Sequence, residues 1–126
     1  MAFGDVGGTV TQLVVTCRTK TVGPVAIAKG NAVKLTGPYT VDNATDAEDA
    51  VFGEALADAA ENGLALPVKV RGISVFYYDG AAPSVDGVSG VRASSTPGKV
   101  KAPASGNGVG VNVKVDSVAG KVHVLL

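Results

Sequence analysis

The chain has 126 residues, of which 46% are apolar and 17% charged, and its formal net charge is zero. This length predicts one domain, and the 11 basic residues are scattered rather than grouped into the patch that nucleic-acid binding requires. We therefore expect no direct nucleic-acid contact. The lack of an uninterrupted run of about 18 apolar residues predicts no membrane span, and one cysteine cannot form an intrachain disulfide.

The first part of the chain predicts an arm followed by short strands. Residues 1–9 are glycine-rich and typical of a flexible arm, and Val and Thr between residues 9 and 17 favour a first strand. We assign residues 1–16 to this arm and first strand, and residues 17–126 to a single β-barrel-like domain. Further short strands are expected around a tight connection at residues 29–31 and at residues 39–41.

Residues 42–63 are ambiguous. Thr45 followed by Glu48 is typical of a helix start, and residues 55–61 are strong helix formers, so propensity alone favours a helix over residues 46–61. A sequence repeat favours another reading, because the stretch that corresponds to it, residues 111–118, alternates like a strand. We therefore predict a short helical turn near residues 46–50 and a strand near residues 51–57.

The rest of the chain predicts a series of strands. Apolar residues alternate from Leu64 to Val70, which indicates a strand with one buried face, and Pro67 places that strand at a sheet edge or points its nitrogen outward. Residues 73–78 form a second apolar strand. Valines at 109, 111, 113 and 115 alternate again before a turn near residue 120 and a last strand. The expected fold is therefore mainly β, a small barrel or sandwich with at most one or two short helical turns.

A β unit occurs twice in the sequence. A shift of 58 positions pairs Val33 with Val91, Lys34 with Arg92 and Asp58 with Asp116, among other matches. Each copy contains a strand, a turn that includes an aspartate and a glycine, and a second strand. The sequence therefore predicts an imperfect internal repeat.

The sequence contains few residues arranged as a catalytic, metal or cofactor site requires. The one histidine, His123, alternates with valines and is expected on a wet strand face, and nothing pairs it with Cys17 as a nucleophile. The acidic residues between 42 and 61 lack the pattern of a calcium loop, so they predict a solvated face or a patch for a basic partner. Two glycine-rich stretches lack the context of a phosphate-binding loop. We expect no enzyme activity, no catalytic residue, no cofactor and no metal.

One aromatic cluster stands out. In a strand, Phe76 and Tyr78 share one face and Tyr77 occupies the other, so one face would join the core while the other anchors an interface. Phe76, Tyr77 and Tyr78 are therefore interface candidates.

Residues 25–37, VAIAKGNAVKLTG, and residues 52–72, FGEALADAAENGLALPVKVRG, are similar to the decoration (cement) proteins of tailed-bacteriophage capsids. Members of that family run from an Ile-x-x-Gly-x-x-Val strand to a Gly-x-Ala-x-x-Asp-Ala turn and then to Gly-x-x-Val-x-Val-x-x-x-Gly. The similarity extends over residues 22–126 and carries no catalytic signature. This chain differs by a longer acidic insert at residues 42–50 and by Pro67.

The resemblance implies a homotrimer on the outer surface of an icosahedral virion, made in the host cytoplasm and bridging neighbouring major capsid subunits. It also implies an N-terminal arm that lies on the capsid and adds a strand there. In this sequence the apolar residues of that arm are Phe3, Val6, Val10 and Leu13. The alternative function is a carbohydrate- or cell-surface-binding β module that would use the exposed tyrosines.

Overall fold

A computed structural model describes residues 12–126, and the arm residues Phe3, Val6 and Val10 lie outside them. The described residues contain no helix. They form ten strands: β1 (Leu13–Thr19), β2 (Ala32–Gly37), β3 (Thr40–Asn43), β4 (Gly53–Ala55), β5 (Ala65–Arg71), β6 (Ile73–Tyr77), β7 (Arg92–Ala93), β8 (Val100–Lys101), β9 (Val111–Asp116) and β10 (Lys121–Leu125). The prediction of a mainly β fold is confirmed.

The first five strands close a barrel in the order β1-β3-β2-β4-β5. β1 runs parallel to β3 and antiparallel to β5, so it joins the two ends of the sheet. The predicted boundary between residues 16 and 17 falls inside β1, all of which belongs to this barrel. We call residues 12–71 the N-terminal repeat and residues 73–126 the C-terminal repeat.

The C-terminal repeat follows the same circular order. β6-β10-β9 form one sheet and β7-β8 another. Two single bridges, Tyr78 with Val100 and Val91 with Val109, connect the sheets at their ends. The Tyr78 bridge is parallel, like the β1–β3 pairing, so the neighbour order becomes β6-β8-β7-β9-β10. The imperfect internal repeat is therefore present in the strand pairing as well as in the sequence.

Each repeat has its own core of small branched residues. The N-terminal core surrounds Leu66 and Val68, and the C-terminal core surrounds Phe76, Val122 and Val124. Because valine fits a pleated, half-buried surface, a composition rich in valine suits these narrow interiors. Ala32, Ala44 and Val51 belong to the N-terminal repeat in sequence but pack with the C-terminal core. These three residues join the two repeats into one body.

The ambiguous residues 42–63 contain a turn and a strand. Asp49 N donates to Asp46 O at 3.1 Å, which closes a turn, and β4 follows at residues 53–55. Glu48 has a φ of 73°, a left-handed conformation that ends helical geometry at that point. The strand interpretation is therefore right, and the helix that propensity favoured over residues 46–61 is wrong.

Pro67 does not lie in an edge strand, because β5 pairs with β1 on one side and with β4 on the other. The ladder to β4 ends at the pair Ala55–Val68, and beyond it only the Pro67 carbonyl is used, accepting from Leu56 N at 3.0 Å. The missing amide hydrogen therefore falls where no ladder bond is required.

Candidate interaction surface

The aromatic segment 76–78 divides between core and surface as the alternation predicts. Phe76 is 0% exposed and lies in the C-terminal core, and Tyr78 is half-buried against the same core. Tyr77 is 54% exposed on the opposite side of β6. Phe76 could contact a partner only if the core unpacked, so its assignment as an interface residue is corrected, and Tyr77 is the member of the three that faces outward.

The outward side of the β6-β10-β9 sheet is largely apolar. Side chains on this side come from alternate positions of the three strands, and we call them the outer face: Ile73, Val75, Tyr77, Val111, Val113, Lys114, Asp116, Lys121, His123 and Leu125. Six of these ten are apolar, and Val75, Tyr77, Val113 and Leu125 are exposed. A solvated sheet face normally alternates to polar residues, so this face has the character of a contact surface.

A β-bulge shapes the outer face. His123 pairs with Lys114 and Val124 with Asn112, which leaves Val113 as the extra residue of β9. The bulge reverses the alternation, so Asn112 is buried and Val113 is 44% exposed. The sequence expectation of one continuous alternating strand through Val109–Val115 is wrong for this reason.

The polar residues of the outer face gather at one end. The Lys121 ammonium lies 5.0 Å above the Tyr77 ring, a cation–π distance. Asp116 accepts hydrogen bonds at 3.1 Å from the amides of Val118 and Ala119, and the Ala119 bond is the largest cause that lowers the pKa of this carboxyl. The charged end is thus fixed by local contacts, while the apolar part is open.

The corresponding face of the N-terminal repeat is different. It presents Thr16, Arg18 and Lys69 from β1 and β5. Lys69 is buried, lies 3.4 Å from Glu54 and donates to Ile73 O at 2.9 Å, so this face is tied to the beginning of the C-terminal repeat. Val14, which pairs with Lys69, is 44% exposed, so both repeats carry some open apolar surface, and the outer face has four exposed apolar side chains.

Leu13 is the one predicted arm residue that the structure describes. It pairs with Arg71 at the start of β1 and is 54% exposed. Leu13 is therefore part of the barrel ladder, with a side chain that remains free for contact.

The acidic stretch makes contacts within the chain. Asp42 pairs with Lys20 at 2.8 Å, and Glu48 pairs with Lys101 at 2.7 Å and accepts from Ala104 N. These hydrogen bonds, first from Lys101 and then from Ala104, lower the pKa of Glu48. The expectation of a solvated acidic face is therefore corrected at these positions, because Glu48 joins the two repeats.

Cys17 and His123 lie in separate surroundings. Cys17 is buried in the N-terminal core, and burial raises the pKa of its thiol. His123 stands on the outer face between Val75 and Lys114. Within residues 12–126, no three His, Cys, Asp or Glu side chains group closely enough to hold a metal ion.

A surface groove lies beside β2. It encloses about 390 Å³ and is lined by Lys34, Leu35, Asp49, Ala50, Val51 and Phe52. The Lys34 ammonium is engaged by Asp46 at 2.8 Å and by Asp49 at 3.2 Å. The groove is thus apolar at its centre, and the Lys34 ammonium at its rim is held by two carboxylates. The sequence analysis missed both this groove and most of the outer face. A comparison of the two repeats would have shown that the large apolar Leu35 corresponds to the small Ala93.

In the part of the chain from residue 12 onward, no helix is long and apolar enough to cross a membrane. No protein-family model matches the sequence, and no curated protein matches it.

Proposed function

We propose that this protein is a structural virion protein that binds the outer surface of an icosahedral phage shell and bridges neighbouring major capsid subunits. The observation that carries the proposal is the open apolar outer face, set on a body in which about half of the charged groups form ion pairs. The resemblance of residues 25–37 and 52–72 to capsid decoration proteins supports the same function. Its work is binding rather than catalysis.

Burial of the outer face would supply affinity. Apolar area removed from water is worth about 25 cal/mol per Å², so the side chains of Val75, Tyr77 and Leu125 together represent a few kcal/mol. That is modest for one contact, but a shell offers many equivalent sites, and copies that bind together multiply the effect.

The N-terminal arm is the second contact in this proposal. Phe3, Val6 and Val10 would lie along the shell and add a strand to a capsid element, starting from the exposed Leu13. Strand addition relies on main-chain hydrogen bonds, so it requires few particular side chains. The three-fold self-association that the resemblance implies stays a prediction, as does location on the outer capsid surface.

The alternative is a carbohydrate-binding module. Its exposed aromatic side chains would be Tyr39 at 69% and Tyr77 at 54%, but these lie in different repeats, while Tyr78 packs on the core. Sugar-binding sites stack rings on neighbouring aromatics, so the outer face fits a protein surface better.

The test is co-sedimentation of the purified protein with expanded shells of the phage that encodes it, together with the temperature at which those shells rupture. We expect binding and a raised rupture temperature. Val75→Glu should weaken binding at least tenfold, whereas Val118→Glu, at a residue 98% exposed in the β9–β10 turn, should leave it unchanged. Deletion of residues 1–12 should weaken binding without unfolding the domain.

Two results would contradict the proposal or favour the alternative. A protein that neither sediments with the shells nor raises their rupture temperature refutes the proposal. A glycan array with strong binders, in the absence of shell binding, supports the alternative.

A further inference from the structure

The two repeats are joined by a short strand addition. Glu48 N donates to Ala93 O at 3.0 Å, and Ala93 N donates to Asp49 O at 2.9 Å. The Arg92 guanidinium also donates to Glu48 O at 3.1 Å. Residues 46–49, which we call the docking turn, therefore extend the outer edge of β7 in the C-terminal repeat.

The docking turn has a counterpart in the C-terminal repeat. The shift of 58 positions places residues 104–107 on residues 46–49, and it places Gly106 on Glu48. The two residues have nearly the same left-handed backbone, with φ of 66° at Gly106 and 73° at Glu48. Residues 104–107 are all exposed. Ala104 N donates to the Glu48 carboxylate and Asn107 O accepts from the Arg92 guanidinium at 2.9 Å. We call residues 104–107 the free turn, because they repeat the docking turn but extend no strand edge within residues 12–126.

The edge that receives the docking turn also has a counterpart. The same shift places Lys34 and Leu35 of β2 on Arg92 and Ala93 of β7. The surrounding hairpins are alike within one residue, because Leu35 pairs with Val41 and Ala93 with Val100, the residue after the one that the shift predicts.

The backbone of Leu35 faces the groove described above. Val33 O accepts from Phe52 N at 2.8 Å on this side of β2, and residues two apart in a strand direct their amides and carbonyls the same way. The Leu35 side chain is 50% exposed, and the groove beside it holds no segment of residues 12–126. The N-terminal repeat thus has an open version of the site that the docking turn fills in the C-terminal repeat.

Each turn also has a charge that suits the site it would occupy. In the filled site, the Glu48 carboxylate meets the Lys101 ammonium at 2.7 Å. In the open groove, the Lys34 ammonium is already paired with Asp46 and Asp49. The free turn, Ala-Ser-Gly-Asn, carries no charge. A neutral turn therefore brings no further carboxylate toward Asp46 and Asp49 and leaves no new charge without a partner.

We infer that copies of this chain associate head to tail, with the free turn of one copy in the groove of the next. By the internal contact, Gly106 N would donate to Leu35 O. Leu35 N would donate to the second lone pair of Asn107 O, whose first accepts from Arg92. Ala102 and Val109, both half-buried, correspond to the Ala44 and Val51 that join the repeats, and they would widen the contact.

Such a contact uses two different surfaces. Repeated head to tail it forms a ring or an open chain of copies, whereas a symmetric pair would have to make the same contact twice in reciprocal directions. Three copies would place six repeats around one axis. The inference does not depend on the shell, because it follows from the interface within the chain. Its failure would leave the proposed shell binding untouched.

The experiment measures native mass in the absence of shells. The wild-type chain of 12.5 kDa should form an assembly larger than two chains at about 100 µM, and dilution should dissociate it. Leu35→Glu blocks the groove by adding a carboxylate beside Asp49. Gly106→Asp blocks the free turn, and aspartate tolerates the left-handed backbone there. Each variant alone should be a monomer, while Val118→Glu should assemble like the wild type.

Mixing the two variants tests whether the free turn of one copy binds the groove of another. The Leu35→Glu copy keeps its free turn and the Gly106→Asp copy keeps its groove, so an equal mixture should form a pair of about two chain masses and nothing larger. Thermal melting checks that each variant is folded. Gly106→Asn, which also tolerates the left-handed backbone, provides a second block of the turn if the aspartate variant melts early.

Three results overturn the inference. The first is a wild-type chain that stays monomeric at this concentration. The second is an assembly whose mass neither variant changes. The third is a mixture of folded variants that remains two monomers, because the free groove and the free turn would then have met without binding.

Discussion

The alternation of β6 makes a sharp prediction, since neighbouring aromatic residues should respond oppositely to truncation. Phe76 is fully buried among Val122, Val124 and their neighbours, and Tyr77 is 54% exposed on the outer face. A register slip of one residue would exchange these two environments. Phe76→Ala and Tyr77→Ala therefore test the placement of the whole β6-β10-β9 sheet.

The expected magnitudes differ severalfold. Removing a buried phenylalanine ring costs about 3–5 kcal/mol, because the lost transfer free energy adds to the energy of the cavity. A chain of this length is stable by roughly 6–19 kcal/mol in total, so the Phe76→Ala variant should fold with much of its margin gone. Truncating Tyr77 loses the contact with Lys121 and a partly exposed ring, which is worth about 1 kcal/mol or less.

Thermal unfolding followed by far-UV circular dichroism measures both variants. For a domain of this size each kcal/mol lowers Tm by about 3–5 °C, so Phe76→Ala should lower it by about 10–20 °C and Tyr77→Ala by about 5 °C or less. Urea unfolding at constant m-value gives the free energies directly. Equal losses for the two variants, or a larger loss for Tyr77→Ala, would refute the assigned faces.

Three further predictions concern single positions. Gly53→Ala should destabilise the fold by several kcal/mol in urea titration, because a Cβ there would collide with the Lys69 backbone carbonyl and lie 2.8 Å from a Val68 methyl carbon; unchanged stability would contradict this packing. Cys17 should react with a maleimide only at the rate of unfolding, since its thiol is buried and burial raises its pKa; fast labelling of native protein would show otherwise. Hydrogen bonds lower the pKa of two carboxyls in the folded chain, that of Glu48 mainly through Lys101 and that of Asp79 mainly through Thr96. In acid the unfolded chain therefore binds more protons than the folded chain, so the free energy of unfolding should be at its full value above about pH 5 and should fall as the pH drops through the folded-state pKa values. A urea midpoint that does not change between about pH 5 and about pH 2.5 would disprove this.

Local pattern predicted the existence of these strands. Residues 64–71 alternate and residues 73–78 are mostly apolar, and β5 and β6 form there. The strand alternative for residues 51–57 was right because the repeat supplied a second copy of the same unit, although strong helix formers occupy that stretch. Pairing with β2 and β5 decided its conformation, since tertiary contacts override a propensity of a few tenths of a kcal/mol per residue.

The residues of the candidate surfaces were harder to predict. The alternation of β5 predicts that Lys69 is exposed to solvent. In the structure Lys69 is buried beside Glu54, because the C-terminal repeat covers that side of β5. Val113 reads as a core valine, yet a bulge turns it outward. The local sequence predicts neither the burial of Lys69 nor the outward direction of Val113, because each depends on a neighbour that is distant in the sequence.

Valine-rich alternation, turn glycines and the 58-residue repeat were enough to specify a duplicated β fold, because they act through the pleat and the backbone of each segment alone. How the copies meet was settled only when the chain folded. The docking turn reaches β7 because the C-terminal repeat lies beside it, and the same placement leaves the groove at Leu35 and the outer face open. Which surfaces are covered depends on the relative position of the two repeats, and no segment encodes that position by itself.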